Sequence, residues 1–228
     1  MKATASDTPR SRVCLCARRH AVLARRVMMA DPCKANHVLP PPSLLKARQR
    51  QTSLTGYNSD MRCIAIAAVT IDGKIALDAG HFSDWTSPED KDFLHEMLDK
   101  SDVIVVGNNT YKTAIGPLSK RNCIVFTASV ATSERKSDTL AYCNPASSDC
   151  IPLMRKYEKV AVLGGTQTYT WFLENDLLDE LYLTIEPIVF GRGLNLFEST
   201  EDVLAKFHLE STKPLNEKGS VLLHYLKQ

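Results

Sequence analysis

At 228 residues and 44% hydrophobic content the chain can bury a sizeable core, and no run reaches the ~18 apolar residues of a membrane span. Its net charge of +2 averages two unlike pieces: residues 1–60 carry eleven Lys or Arg against Asp7, Asp31 and Asp60, while residues 61–228 hold 17 basic and 23 acidic groups. Seven cysteines, an odd number without a CxxC pair, argue against a disulfide framework and against a zinc site.

The basic piece has no sustained hydrophobic period, a Pro-Pro-Pro run at Pro40–Pro42 and a polar last stretch, so it is expected not to fold alone. Two readings stay open for residues 1–60: an organelle transit segment, with Val13–Ala30 as a basic amphipathic helix, or a start assigned ahead of Met61. The first implies an organelle and the second the cytoplasm. Nucleic-acid or membrane-surface binding by this arm is a third and weaker reading, and since basic tails often have no partner neither a nucleic acid nor a membrane is expected.

From Met61 to Gln228 short β-rich runs alternate with helical ones, the pattern of a sheet covered by helices. A first strand is predicted at Arg62–Thr70, followed by an Asp72-Gly73 turn into Lys74–Leu77. Ser87 caps a helix, Pro88 suits its first turn, and Glu89 and Asp90 favour its positive end. Phe93, Leu94, Met97 and Leu98 then share one face, and the helix ends near Lys100. Asp102–Gly107 is a buried strand, Asn108–Ile115 a short helix and Asn122–Thr127 another strand. Residues 128–139 read as loop, Thr139–Cys143 as a strand at the sheet edge and Asp149–Tyr157 as a helix. Lys159–Leu163 runs through Gly164-Gly165 into a helix at Thr166–Glu174, and Asp179–Phe190 is a long strand. Lys206–Thr212 and Gly219–Lys227 close the domain as an antiparallel pair. Cys63 and Cys123 fall in apolar runs and read as core residues.

Two segments share one design, a buried strand ending in glycine and running straight into a helix: Gly107-Asn108-Asn109-Thr110 and Gly164-Gly165-Thr166-Gln167-Thr168-Tyr169. Bare backbone lets a phosphate approach, and the helix start favours its charge. Side by side, two such ends can hold a dinucleotide. The GxGxxG fingerprint of the Rossmann fold is absent.

Five blocks then occur together: Thr70–Ala76, Trp85–Asp90, Val106-Gly107 with Thr110, Gly164–Thr166 and Glu186–Gly193. In order and spacing they resemble the riboflavin-biosynthesis reductase domain, the C-terminal half of the bacterial bifunctional deaminase-reductase, across essentially all of 61–228. The resemblance implies the dihydrofolate reductase-like fold: an α/β domain with a mixed, mostly parallel central sheet flanked by helices and a C-terminal antiparallel hairpin. It implies NADPH as cofactor, held by Trp85, Gly107, Thr110 and the stretch Gly164, Gly165, Thr166, Gln167, Thr168 and Tyr169, with the Gly-Gly bond cis. It places Ser83 at the substrate and implies a homodimer. The zinc-deaminase pattern, His-x-Glu with Pro-Cys-x-x-Cys, is absent.

Departures accompany the resemblance. Where those reductases grip a substrate phosphate with Arg this chain has Leu98, and Leu163 replaces an acidic residue before the paired glycines. The stretch Gly107–Thr127 resembles dihydrofolate reductase itself, and Asp90, two residues after Pro88, matches the carboxylate that holds the pterin ring and assists its protonation. Asp90 serves equally well as a charge at a helix N-terminus. Asn108 stands where an Arg commonly binds the cofactor's 2′-phosphate, and Lys112, Lys120, Arg121 or the Thr127–Ser129 turn are the substitutes. His81 and His95 receive no role. Three functions stay open: the riboflavin-pathway reductase step, reduction of dihydrofolate or another pterin, and non-catalytic nucleotide binding.

Overall fold

The computed structural model describes residues 60–200 and 202–228; the basic extension 1–60, Asp60 apart, lies outside the described residues. The elements run β1 (Arg62–Thr70), β2 (Lys74–Ala76), α1 (Pro88–Asp99), β3 (Val103–Gly107), α2 (Asn108–Thr113), α3 (Ile115–Leu118), β4 (Cys123–Phe126), β5 (Ser133–Arg135), β6 (Leu140–Cys143), α4 (Cys150–Met154), β7 (Lys159–Val162), α5 (Thr166–Glu174), β8 (Leu178–Glu186), β9 (Leu194–Asn195), β10 (Phe207–Pro214) and β11 (Val221–Lys227). Nine strands form one sheet in the order β10-β11-β8-β1-β7-β3-β4-β6-β5, and β2 pairs with β9 in a separate ribbon. The strands β8, β1, β7, β3, β4 and β6 are parallel neighbours, while β11, β10 and β5 join antiparallel.

Alternation along the central strands explains why they read as unbroken apolar runs. Cys63, Ala65, Val103, Val105, Val160 and Val162 face one core together with Tyr169 and Phe172 of α5 and Met154 of α4. Ile64, Ile66, Ile104, Val106, Cys123 and Val125 face the other, where α1 lays down Phe93, Leu94, Met97 and Leu98 and the next two helices add Tyr111 and Leu118. A parallel sheet covered on both sides has no polar face to show.

Helix α1 begins as its residues dictate. Ser87 Oγ accepts the Asp90 N–H at 3.3 Å, Pro88 needs no donor at the first position, and the Lys100 N–H returns to the Glu96 carbonyl at 3.2 Å. Beneath it lies Glu186, the last residue of β8, buried at 3% exposure. One carboxylate oxygen accepts the Ser87 N–H at 2.8 Å and the other the Ser220 hydroxyl at 2.5 Å, so Glu186 pins the start of α1 to the sheet.

The structure departs from the sequence reading most clearly in four places. The loop predicted at 128–139 contains β5, a three-residue exposed strand too short to show a period, and it displaces Leu140–Cys143 from the edge. The long strand predicted to Phe190 stops at Glu186, because Pro187 cannot continue the ladder. Leu194–Asn195 forms β9, whose two residues carry no signal of their own. Although the cysteine count argued against a disulfide framework, Cys143 and Cys150 are bonded, their Cα atoms 6.0 Å apart, where β6 turns back into α4; spacing in sequence does not reveal which thiols a fold brings together.

Glu186→Ala is expected to leave the half-buried Ser87 N–H and the buried Ser220 hydroxyl without their acceptor and to destabilise the domain by about 2–4 kcal/mol. Urea unfolding checks this; a loss below about 0.5 kcal/mol, the scale of a surface change, contradicts the pinning role.

Candidate active site

Because β7 and β3 are neighbours, their carboxyl ends bring the two glycine segments into contact. The Gly107 N–H donates to the Gly164 carbonyl at 2.7 Å. A Cβ on Gly107 would stand 3.0 Å from Thr168 Oγ1, and one on Gly165 would stand 3.6 Å from Thr110 Oγ1 and 4.0 Å from Ile75 Cδ1. Gly107, Thr110, Gly165 and Thr168 thus share one bare patch of backbone, with the flap strand β2 beside it. The Gly164–Gly165 peptide is cis, as the resemblance implied.

Gly164 is fixed from below. Its φ of +81° is a conformation that side chains disfavour, and a Cβ there would lie 2.3 Å from the Tyr169 ring. Tyr169 is itself buried and donates its hydroxyl to the Ile66 carbonyl at 2.6 Å, with burial raising its pKa. Thr166 donates to the Asn195 carbonyl at 2.5 Å, which ties the start of α5 to β9. Gln167 is the exposed member of the stretch, and with Thr166 it supplies the first N–H groups of α5, which the helix cannot use itself.

On the other side of β1 stands Asp90, at the third position of α1 and 7% exposed. Burial raises its pKa above the ordinary carboxylate value; the Thr184 and Thr86 hydroxyls against it oppose the shift and Glu186 adds to it. Its partner Thr184 lies near the carboxyl end of β8, a strand parallel to β7 and β3, so the carboxylate and the glycine turns lie at the same end of the sheet. Trp85 sits half-buried at the end of a single 3-10 turn, Ser83–Trp85, edge-on to Phe190 with ring centroids 5.1 Å apart. Ser83 is exposed, and its carbonyl accepts the Thr86 hydroxyl at 3.3 Å.

Thr184, Glu186 and Ser220 received no role from the sequence, although Glu186 opens the fifth block. The first two lie two apart on β8 and so face the same side, a signal present in the alternation of Leu178–Glu186 but hidden in a largely apolar strand. Leu98 is 3% exposed in the core beneath α1, with Leu163 packed partly buried in the same cluster; both departures from the riboflavin-type pattern thus serve packing. Trp171 packs behind the glycine turn against Phe126, centroids 5.0 Å apart, and donates Nε1–H to the Pro145 carbonyl. Burial pushes the Cys123 thiol up to about 11, so it is a core residue and no nucleophile. Among the described residues no group of three His, Cys, Asp or Glu could hold a metal ion, and no helix is long and apolar enough to cross a membrane.

The mostly parallel sheet, the paired glycine turns on adjacent strands and the C-terminal hairpin define a dihydrofolate reductase-like α/β protein. The chain belongs to the dihydrofolate reductase family, whose model matches residues 62–206, and so to a family of reductases. An uncharacterized protein of Bacillus subtilis strain 168, YwjB, is 26% identical over 177 residues, covering 74% of this chain and 99% of that one. Among solved structures, a putative riboflavin biosynthesis protein of Shewanella sp. PV-4 superposes with a TM-score of 0.60 at 24% identity, covering 74% of this chain and 99% of that one. A pyrimidine reductase-like protein of Corynebacterium diphtheriae gives 0.59 at 18%, over 74% and 92% of the two chains. Dihydrofolate reductase of Enterococcus faecalis, solved in complex with NADP(H), gives 0.56 at 22%, over 75% and 99%. At these identities the structures share the fold.

The two glycines separate folding from binding. Gly164→Ala is expected to destabilise by about 2 kcal/mol or more through strain and collision with the Tyr169 ring. Gly165→Ala meets only ordinary contacts and is expected to melt close to the parent while losing affinity for a dinucleotide. Melting curves and NADPH titration of both variants check the contrast; a Gly165→Ala protein binding NADPH normally means that the turn is not a phosphate site.

Proposed function

We propose that residues 61–228 bind NADPH across Gly107–Thr110 and Gly164–Tyr169 and reduce a pterin- or pyrimidine-like ring held by Asp90 beside Trp85. NADPH, when bound, supplies the hydride. The residues present fit it: Gly165 leaves its Cβ side open to 3.6 Å, and the Thr166 and Gln167 N–H groups begin α5 at that point. Gly107 pairs in register with Phe126, so the Thr127–Ser129 turn stands next to Asn108 and is the best placed of the substitutes for the missing Arg. Arg121 is already engaged by Asp99 and by the Pro117 carbonyl.

The observation that carries the reading is Asp90, a buried carboxylate with a raised pKa at the carboxyl end of the sheet. Such a group accepts two parallel N–H bonds from an amidine edge and keeps a proton near the ring nitrogen that receives one during reduction. This favours a 2-amino-pyrimidine ring of the pterin kind. A uracil edge offers Asp90 an N–H flanked by oxygens, and with Leu98 buried no guanidinium grips a phosphate from that helix position. The phosphoribosylamino-uracil of riboflavin synthesis is therefore the second reading, favoured by the five sequence blocks. A homodimer is proposed on the same resemblance: Ile71 and Val189, 64% and 61% exposed, flank the bond from the Ile71 N–H to the Ile188 carbonyl. A sedimentation mass of one subunit at micromolar concentration contradicts it.

The test is NADPH oxidation followed by absorbance with dihydrofolate, an unconjugated dihydropterin and the aminouracil phosphate. Turnover of a pterin supports the reading. Turnover of the aminouracil alone favours the second, and NADPH binding without turnover favours a non-catalytic relative.

Asp90→Asn separates catalysis from stability. Since the carboxyl takes up its proton more readily when folded, its contribution to stability is full below the ordinary carboxylate range and is lost as pH rises through the raised value. The variant is expected to melt above the parent at pH 8, to lose that advantage by pH 3, and to turn over about 10²–10⁴-fold more slowly with NADPH affinity unchanged. Parallel melting curves at the two pH values and steady-state rates check this; unchanged kcat means Asp90 only serves the helix start.

A further inference from the structure

Asp72 stands at the tip of the turn after β1, half-buried, and its carboxylate is the acceptor of three hydrogen bonds. Thr70 Oγ1 donates at 2.6 Å, the Phe190 N–H at 3.2 Å and the Gly191 N–H at 2.8 Å. These bonds hold its pKa below the usual carboxylate value, so the charge persists throughout the neutral range. The last two cross 118 and 119 residues of sequence, from the β1 turn to the loop after β8.

That loop reaches both halves of the site. Phe190 meets Trp85 and His81 edge-on, with centroids 5.1 and 5.5 Å apart. Three residues on, Gly193 lies so close to Ala76 that a Cβ would fall 2.2 Å from the Ala76 carbonyl oxygen. The chain then enters β9, pairs with β2, and accepts the Thr166 hydroxyl on the Asn195 carbonyl. From Asp72 one connected path runs to Trp85 and another to the first residue of α5, and the ribbon between them sets Ile75 over Gly165.

We propose that Asp72 is a positioning residue: its carboxylate latches the Pro187–Gly193 loop, so that Phe190 orients Trp85 and the β2–β9 ribbon lies over the Gly164-Gly165 turn. It touches neither cofactor nor substrate. Asn at this position keeps the shape but replaces one acceptor oxygen with a donor, so it cannot receive all three bonds. The proposal rests on the site reading above for the role of Trp85 and the glycine turn, while the latch itself is tested without any ligand.

The experiment is fluorine NMR of the full chain labelled with 5-fluorotryptophan, whose two resonances report Trp85 and Trp171, assigned with Trp85→Phe. In Asp72→Asn the Trp85 resonance is expected to shift or broaden while that of Trp171, packed on Phe126, stays in place; Gly193→Ala, which breaks the ribbon from its other end, is expected to do the same. NADPH titration of Asp72→Asn is expected to show about tenfold weaker binding, the loss of one bond to a charged group. A Trp85 resonance identical to the parent's in both variants, or equal movement of both tryptophans, overturns the latch. Should the parent fail to bind NADPH, the cofactor reading falls, and the two resonances still decide whether Asp72 orients Trp85.

Discussion

Where β3 and β7 finish, two chain segments approach so closely that the Gly107 N–H bonds the Gly164 carbonyl. This contact requires backbone without side chains, and the Tyr169 ring beneath Gly164 removes the space in which a side chain could hide. The ring is held in turn by the Ile66 carbonyl of the central strand. A bare, anchored strip of backbone at the carboxyl ends of parallel strands follows from these contacts, beside the first turn of a helix. On this strip rests the proposal of a phosphate site.

Around that strip the fold keeps carboxylates where burial disfavours them. Glu186 offsets its burial with two hydrogen bonds and thereby fixes where α1 starts. Asp90, in the first turn of the helix, is held by the Thr184 and Thr86 hydroxyls, yet burial still raises its pKa. A buried acid with a raised pKa is a weak point for stability at neutral pH and a useful feature for protonating a ring nitrogen. Asp72, by contrast, is fully occupied by donors and acts as a fastener. Three acids at one end of the sheet thus have three different environments, and the three proposed roles follow them.

Much of this was legible in the sequence. Strand β1 and helix α5 have the predicted boundaries, and α1 matches to within a residue, because a buried strand, a capped helix and a Gly-Gly start each have an unambiguous local cause. The glycine segments could be recognised singly, and their adjacency followed only from the family resemblance, since nothing local says that β7 lies beside β3. What stayed hidden depends on contacts far apart in sequence. The ribbon of β2 with β9 joins segments more than a hundred residues apart, as do the bonds from Asp72 to the loop, and the bond from Ser87 to Glu186 spans 99. The Cys143–Cys150 bond spans only seven residues, yet it depends on how β6 and α4 meet. Leu98 and Leu163 read as losses from a binding pattern; in the fold they contribute to the core.

The most direct measurement is a titration of the protein with NADPH and with NADH, following tryptophan fluorescence. Trp85 stands at the proposed ring site, and Trp171 packs behind the glycine turn. Saturable quenching by NADPH at micromolar concentration, weaker with NADH, is the expected result. No response to either nucleotide contradicts the assignment of the glycine turns as a cofactor site.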